Sequence, residues 1–230
     1  MKILIQGAFL EEINELLSFF NPKEHTKIAS YEFWETNYKN HTIIISLTHK
    51  GIINASIATT IAIQKFNPDL IINQGCAGGH ISKLKLGDIV IGESSKYIND
   101  FKTPIKQIGE GSNSLTWTPH TSRSYVSHST PKYIDIAKQV KTSQQTYFGA
   151  LGSADTHSRE CDRINYLHSL FDHLCEDMES AAAMKVCSEF NVDRIAFRII
   201  SNNDLTSIQF DKSPLKIMQQ FVIDFIKLIN

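Results

Sequence analysis

Apolar and polar positions along this chain follow two patterns. Short runs rich in Ile and Val are separated by longer segments in which apolar residues recur every three or four positions. The first pattern is typical of buried strands and the second of helices that bury one face, so the sequence predicts an α/β domain around a largely buried sheet. The predicted strands are Lys2–Gln6, Thr42–Leu47, Leu70–Gln74, Asp88–Gly92, Tyr147–Leu151 and Arg194–Ile200.

The helices are predicted from apolar spacing and from two prolines. Pro68 ends the helix before the third strand, because a proline disfavours helical backbone in the preceding residue. Pro214 opens the last helix, where its missing N–H is not needed, and the apolar side of that helix is expected to pack on the sheet. The predicted helices are Glu11–Phe20, Ile53–Lys65, Asp162–Leu170, Glu179–Phe190 and a C-terminal helix after Pro214.

The stretch from Tyr97 to Thr130 shows neither pattern. It is rich in Ser, Thr, Asn and Gly, and we expect a long loop over the domain. The chain contains no internal repeat and no low-complexity tract. We therefore expect one domain over residues 1–230.

Charge and apolar run length exclude two classes of partner. The chain carries 23 Lys and Arg against 24 Asp and Glu without a block of like charge, which argues against a nucleic-acid partner. The longest apolar runs, such as Ile43–Ile45, are far shorter than the roughly 20 residues that span a bilayer, so no membrane partner is expected. Residues 1–5 are followed by Gln6, Gly7 and two glutamates, which predicts a first strand rather than a secretory signal.

Four cysteines bear on metal binding and on the cellular compartment. They form no C-x-x-C pair and have no histidine at the spacing of metal ligands, so neither a metal site nor a disulfide framework is indicated. We expect reduced thiols in a cytoplasmic enzyme. The cysteines are Cys76, Cys161, Cys175 and Cys187.

Small and polar residues follow four of the predicted strands or open the next helix. Open α/β sheets bind ligands at such strand ends. Each segment also has an ordinary structural interpretation: acidic residues complement a helix dipole, glycines form turns, Asp177 caps a helix, and Asn-Asn-Asp is common in turns. The segments are Gly7–Glu12, Asn73–Gly79, Glu176–Ala183 and Arg198–Asp204.

Together and in this order, the four segments resemble the purine nucleoside phosphorylase and nucleosidase superfamily. Within it, they resemble the 5'-methylthioadenosine/S-adenosylhomocysteine nucleosidase branch. The resemblance covers nearly the whole chain and is most specific in Ile3–Glu12, Ile71–Val90, Leu151–Asp155 and Glu176–Asn202. It implies a three-layer α/β/α fold around a central mixed sheet, usually assembled as a homodimer, with a purine nucleoside across the strand ends.

The resemblance also implies roles for individual residues. By position, Glu12 matches the residue that activates the attacking water, and Glu179 matches the carboxylate that holds the ribose hydroxyls. Arg198 matches an arginine in the network of water and carboxylates, Met178 packs under the sugar, and His157 stacks on the base. Phe9 and Phe210 are expected to line the recess for the 5' substituent. The central glycine segment, with Cys76, Ala77 and Gly78, lets the ligand approach the backbone closely.

The chemistry of glycosidic cleavage agrees with these roles. Breaking the bond between C1' and N9 builds positive charge on the ribose and negative charge on the purine, so carboxylates near the sugar stabilise the transition state. A phosphate nucleophile would need cations. The first glycine segment carries Glu11 and Glu12 but no arginine, and uncharged residues precede the central segment, so water is the preferred nucleophile. No cofactor is required.

Three positions depart from the branch. The branch has an aspartate that protonates the adenine N7 where this chain has Asn202, and an amide has no proton to give. Two interpretations remain open: Asn202 binds a 6-oxopurine, or Asp204 reaches the base and keeps adenine chemistry. Cys76 replaces a small hydroxyl residue and is best explained as a buried filler, and His157 replaces an aromatic and adds a polar group at the base.

The leading hypothesis is therefore hydrolysis of a purine nucleoside, as in the 5'-methylthioadenosine/S-adenosylhomocysteine nucleosidases, with Glu12 as the base. One alternative keeps hydrolysis but changes the base to a 6-oxopurine, as in futalosine hydrolases, and a second is a purine nucleoside phosphorylase. A non-catalytic nucleoside-binding relative is the least favoured, since a degenerate site would be expected to lose Glu12, Glu179 or Arg198.

Overall fold

The computed structural model describes residues 1–120 and 126–229. Within those residues, ten strands form one mixed sheet. The strands are β1 (Lys2–Gly7), β2 (Glu24–Ile28), β3 (Tyr31–Tyr38), β4 (His41–Leu47), β5 (Leu70–Gly79), β6 (Ile89–Tyr97), β7 (Phe101–Lys102), β8 (Thr118–Pro119), β9 (Val126–His128), β10 (Thr146–Ser153), β11 (His173–Asp177) and β12 (Asp193–Asn202). The main path is β11-β10-β6-β12-β5-β1-β4-β3-β2, β9 pairs with β6, and β7 and β8 form a separate pair.

Helices cover both faces of the sheet, which confirms the predicted three-layer α/β/α fold. Alternate residues of β1 face opposite layers: Ile3 and Ile5 belong to the core beneath α1 and α6, whereas Leu4 packs beneath α2. All six predicted strands and five predicted helices are present. The helices described are α1 (Asn14–Phe20), α2 (Ile52–Phe66), α3 (Pro131–Ala137), α4 (Cys161–Phe171), α5 (Ser180–Glu189) and α6 (Leu215–Leu228).

One end of the sheet closes into a ring. β5 continues past Gln74, where the prediction ended it, and its last residues pair antiparallel with β11, Gly78 opposite Glu176. β5 therefore contacts both β12 and β11, so that β5, β12, β6, β10 and β11 form a closed circuit. The glycine segment Asn73–Gly79, for which a turn was the ordinary structural interpretation, is thus strand. Its glycines are needed for close packing: a Cβ on Gly79 would lie 2.8 Å from the Asn203 amide nitrogen.

Two predicted boundaries are corrected. The acidic residues Glu176 and Asp177 do not open a helix but end β11, and α5 begins at Ser180. The predicted helix from Glu11 is divided into a short 3-10 turn at Leu10–Glu12 and α1. The predicted loop from Tyr97 to Thr130 is largely irregular where it is described, but it contains β7, β8 and β9, and residues 121–125 lie outside the described residues.

No helix among the described residues is both long and apolar enough to cross a membrane.

Candidate active site

A cavity of about 300 Å³ lies where β1, β5, β11 and β12 end. It gathers residues from all four segments that the sequence analysis selected. Ten predicted site residues line it: Phe9, Glu12, Cys76, Ala77, Gly78, His157, Met178, Glu179, Asn202 and Phe210. Six lining residues were not predicted as site residues: Ala8, Lys50, Thr156, Glu176, Asp177 and Ser201.

Glu12 is buried at one end of the cavity. The turn after β1 brings its carboxylate to two backbone donors: Oε2 accepts from the Ala8 N–H at 2.6 Å, and Oε1 accepts from the Cys76 N–H at 2.9 Å. A Cβ on Gly75 would lie 2.5 Å from Oε1, so glycine is required there. Burial raises the pKa of Glu12, although both hydrogen bonds oppose the rise. The carboxylate therefore has an increased affinity for a proton, as a general base needs.

Glu179 is the second carboxylate of the cavity. It lies directly before α5, and its Oε1 accepts from the Gly51 N–H at 3.0 Å. Burial, followed by the negative charge of Asp177, raises the pKa of Glu179 to about 8. The two carboxyl groups reach the cavity from separate elements of the chain.

Arg198 lies behind the cavity wall. It is 1% exposed and is not among the residues that line the cavity. Its Nε forms an ion pair with Asp177 Oδ2 at 3.0 Å, and its Nη2 donates to Asn73 Oδ1 at 2.6 Å. Asp177 Oδ1 in turn accepts from the N–H groups of Glu179 and Ser180, at 2.9 and 2.8 Å. Arg198 thus holds the carboxylate that positions Glu179, and Asp177 binds the start of α5 as the capping interpretation expected.

Asn202 is the last residue of β12, is paired with Gly78 of β5, and lines the cavity. Its Nδ2 donates to Asp204 Oδ2 at 3.0 Å, and its Oδ1 accepts from Ser201 Oγ at 3.2 Å. Asp204 also pairs with Arg159, at 3.3 Å from Nε, and is not a lining residue. Asp204 therefore orients the Asn202 amide from behind.

Cys76 lines the cavity beside Glu12. Burial, and then the negative charge of Glu12, raises the pKa of its thiol. The thiol is therefore protonated at neutral pH and unsuited to attack, in accord with its interpretation as a filler.

Lys50 brings a positive charge to the cavity that sequence patterns did not indicate. Its Nζ lies 4.8 Å from the centroid of the Phe9 ring. It follows β4 and precedes the Gly51 amide that binds Glu179. A lysine in a connection carries no periodic signal, and only the fold places it here.

Glu176 lines the cavity and belongs to a buried polar cluster with Ser158, His80 and His173. Its Oε1 accepts from Ser158 Oγ at 2.9 Å, and its Oε2 accepts from the Ser158 N–H at 2.8 Å. His80 Nε2 lies 3.4 Å from Oε2, and His80 Nδ1 lies 2.7 Å from His173 Nε2. Burial holds the pKa of His173 well below its usual range, so His173 is neutral. The sequence pattern places Glu176 at a helix start and gives no sign of its place in the cavity.

Comparison with known proteins agrees with the fold and with the resemblance. The model of the phosphorylase superfamily matches residues 2–228. A 5'-methylthioadenosine/S-adenosylhomocysteine nucleosidase of Geobacillus sp. is 31% identical over 204 residues, which are 88% of this chain and 85% of that protein.

Solved structures show the same fold under different names. The 5'-methylthioadenosine/S-adenosylhomocysteine nucleosidase of Neisseria meningitidis, in complex with methylthio-immucillin-A, superposes with a TM-score of 0.84 at 21% identity, covering 99% of both chains. The futalosine hydrolase of Helicobacter pylori also superposes with a TM-score of 0.84 at 21% identity, covering 100% of this chain and 98% of that one. The chain therefore belongs to the phosphorylase superfamily and is related there to the 5'-methylthioadenosine/S-adenosylhomocysteine nucleosidases.

Proposed function

We propose that the protein hydrolyses the N-glycosidic bond of a purine nucleoside, with Glu12 as the base that activates water. The observation that carries the proposal is the placement of two carboxyl groups in one cavity: Glu12 is buried and accepts from two backbone N–H groups, and Glu179 is half-buried and accepts from one. The superfamily and the nucleosidase name of the 31% identical relative support the same chemistry.

The proposed reaction uses the two carboxylates differently. Glu12 takes a proton from water as the water attacks C1', while Glu179 holds the ribose hydroxyls by hydrogen bonds. Asn202 donates a hydrogen bond to the departing purine, which leaves as an anion and takes its proton from solvent, because an amide has no proton to give. Arg198 acts through Asp177, as a positioning residue for Glu179. No step requires a cofactor.

Phosphorolysis is the second candidate because Lys50 brings a cation to the cavity. Water is favoured by the charge around the proposed nucleophile. The Glu12 carboxylate would repel a phosphate dianion, and the Arg198 guanidinium is already paired with Asp177.

The test is product analysis. We expect purified protein, incubated with methylthioadenosine, adenosylhomocysteine, adenosine, inosine and guanosine with and without phosphate, to release free base and free sugar independently of phosphate. A sugar 1-phosphate product would replace hydrolysis by phosphorolysis. No turnover with any nucleoside would overturn the proposal.

Glu12→Gln tests the base directly. We expect kcat to fall by about 10²-fold or more with little change in substrate affinity, because the amide keeps the shape but cannot take a proton. Glu11→Gln is the matched control: Glu11 is exposed and pairs with Lys212 at 2.7 Å, and its replacement should leave kcat unchanged. Full activity of Glu12→Gln would remove Glu12 as the base.

We also propose that residues 1–230 form one domain. We propose further that the protein is a homodimer and that it works in the cytoplasm. The resemblance to the superfamily supports the dimer, and the reduced state expected of the four cysteines supports the compartment.

A further inference from the structure

A lysine lies at the exposed part of the cavity and has no task in the chemistry described above. Lys50 lines the cavity and is exposed, whereas Glu12 is 3% exposed. The Lys50 Nζ lies 4.8 Å from the centroid of the Phe9 ring, and Phe9 lines the cavity too. Phe210 is a further lining residue and is 51% exposed. We call Lys50, Phe9 and Phe210 the cavity mouth.

Two lysines flank the Phe9 ring, and only one of them is paired. Lys212 Nζ lies 5.5 Å from the ring centroid and forms an ion pair with Glu11 at 2.7 Å. A hydrogen bond from Lys212 lowers the pKa of Glu11, and the charge of Lys50 lowers it further from a greater distance. Lys50 forms no ion pair with a carboxylate of the described residues. Its ammonium group therefore brings to the cavity a positive charge that no direct contact neutralises.

The backbone fixes the mouth relative to the proposed sugar site. The residue after Lys50 is Gly51, whose N–H donates to Glu179 Oε1 at 3.0 Å. The residue before Phe9 is Ala8, whose N–H donates at 2.6 Å to the carboxylate proposed as the base. Each mouth residue is thus one position away from a backbone group that holds a carboxyl group of the site. A sugar bound to these carboxyl groups has Lys50 and Phe9 as neighbours.

The 5' side of the nucleoside is the part that reaches the mouth. In the proposed reaction the purine contacts Asn202, C1' faces the water at Glu12, and the ribose hydroxyls bind Glu179. A substituent can then extend from the 5' carbon. Since Asn202 is 6% exposed while Lys50 and Phe210 are exposed, that substituent runs from the buried site towards solvent through the mouth.

The number of charges at the mouth favours a carboxylate on this substituent. Lys50 is the one lysine or arginine among the described residues that line the cavity. A single ammonium matches the single charge of a carboxylate. A phosphate ester carries nearly two negative charges and is typically bound by arginine or by several backbone N–H groups. A neutral substituent would leave the ammonium without a partner.

We infer that Lys50 binds a carboxylate at the end of the 5' substituent, so that the protein prefers nucleosides with such a group to nucleosides with a neutral 5' substituent. The inference rests on the proposed function for the identity of the site as a nucleoside site. It assigns Lys50 as a specificity residue rather than as a binding group for a phosphate nucleophile. Phe9 and Phe210 supply apolar surface to the chain that carries the carboxylate.

The experiment compares an acid with its amide. The probes are nucleosides with a 5'-carboxyethylthio group and the corresponding primary amides, which have nearly the same shape but no charge. Each probe is prepared with adenine and with hypoxanthine. We expect kcat/KM to be about 5- to 10-fold higher for the acid than for the amide of the same base, and the difference to shrink with added salt. Equal values for acid and amide would overturn the inference.

Lys50→Met removes the charge and keeps an unbranched side chain. We expect kcat/KM for the acid to fall to the value for the amide, with the amide nearly unchanged, and we expect Lys50→Arg to keep the preference. Lys83→Met is the matched control: Lys83 Nζ lies 5.1 Å from the centroid of the Tyr147 ring, and Lys83 does not line the cavity. An equal loss for acid and amide in Lys50→Met would show that Lys50 acts only through the neighbouring Gly51 amide, and the inference would be wrong.

A third pair of probes identifies the anion. Adenosine 5'-monophosphate and inosine 5'-monophosphate are titrated into the unmodified protein and into Lys50→Met by calorimetry. We expect both to bind more weakly than the carboxyethylthio nucleosides. Tighter binding of a monophosphate, lost in Lys50→Met, would assign Lys50 to a phosphate ester and overturn the assignment of the carboxylate.

Failure of this inference and failure of the proposed function give different results. Calorimetric titration of Glu12→Gln with the acid and the amide measures affinity where hydrolysis is expected to be slow. Tighter binding of the acid, without hydrolysis of any nucleoside by the unmodified protein, would contradict the proposed function and keep the role of Lys50. Hydrolysis of acid and amide with equal kcat/KM would keep the proposed function and remove the role of Lys50.

Discussion

Burial raises the proton affinity of Glu179, and this makes the free energy of unfolding depend on pH. Its pKa is about 8 in the folded protein, against an ordinary value of 4.5, so folding favours the protonated form. Below pH 4.5 Glu179 is protonated in both the folded and the unfolded state, and its contribution to the free energy of unfolding is at its maximum. As the pH rises from 4.5 to 8, the unfolded state releases its proton first, and the contribution is lost.

Glu179→Gln should therefore stabilise the protein at alkaline pH. A tenfold change in an ionisation equilibrium is worth about 1.4 kcal/mol, so we expect the variant to have the larger free energy of unfolding at pH 9, by more than about 1 kcal/mol, and a nearly equal one at pH 4. Denaturant unfolding at the two pH values measures this. Activity should be lost in the same variant.

The control for this prediction is Glu189→Gln, at the exposed end of α5. A hydrogen bond from Lys185 lowers the pKa of Glu189, so its replacement should bring no gain at pH 9. If Glu179→Gln is no more stable than the unmodified protein at pH 9, ionisation of Glu179 does not lower the free energy of unfolding, and the prediction is wrong.

At the scale of elements, the turn after β1 and the middle of β5 have to fit each other. Glu12 occupies the space that a side chain at position 75 would need. We expect Gly75→Ala to displace the Glu12 carboxylate and to lower kcat by about 10²-fold, with the fold retained as judged by circular dichroism.

Gly109→Ala serves as its control. Gly109 has no atom within 4 Å of an added Cβ, and its positive φ of 89° confines the cost of alanine to a local loop strain. Its kcat should match that of the unmodified protein. Normal activity in Gly75→Ala would show that the turn after β1 adapts freely.

The elements that the sequence predicted are those whose pattern is local. β1 and β4 are buried along most of their length and contain continuous apolar runs, and the sequence predicts them with nearly correct bounds; β5 is predicted correctly only over its apolar first half. β2 was missed because its edge position leaves it largely exposed and polar, and β11 because its carboxylates are satisfied by partners distant in sequence.

The same distinction holds for the site. Glu12 and Glu179 stand in recognisable segments at strand or helix ends, whereas Glu176 gains its role through pairing with Gly78 and Ser158, nearly 100 and 18 residues away. Lys50 also reaches the cavity only through tertiary structure. Resemblance supplied residue roles that spacing alone left undecided.

For the whole molecule, the outer face of α2 bears on assembly. Ile53 is 70% exposed and Ile57 is 42% exposed, and their spacing places them on one side of the helix. α2 begins directly after Gly51, whose amide binds Glu179, so a partner on this face would lie next to the cavity. We expect the proposed homodimer to cover these isoleucines.

Ile53→Glu should therefore shift the protein from dimer to monomer in light scattering coupled to gel filtration, because a charge would be buried in the interface. Ile105→Glu is the control, since Ile105 is 97% exposed in the segment between β7 and β8. A monomer in the unmodified protein would remove the dimer from the proposal.

The closed circuit of β5, β12, β6, β10 and β11 has a consequence for the entropy of binding. Each of these strands has neighbours on both sides in the sheet, and Gly78, Glu176 and Asn202 are themselves paired across strands, so their backbone is ordered by folding itself. A nucleoside then has few backbone torsions left to restrict. Little of the binding free energy is then lost in ordering the protein. Differences in contacts between one base and another therefore appear almost fully as differences in affinity.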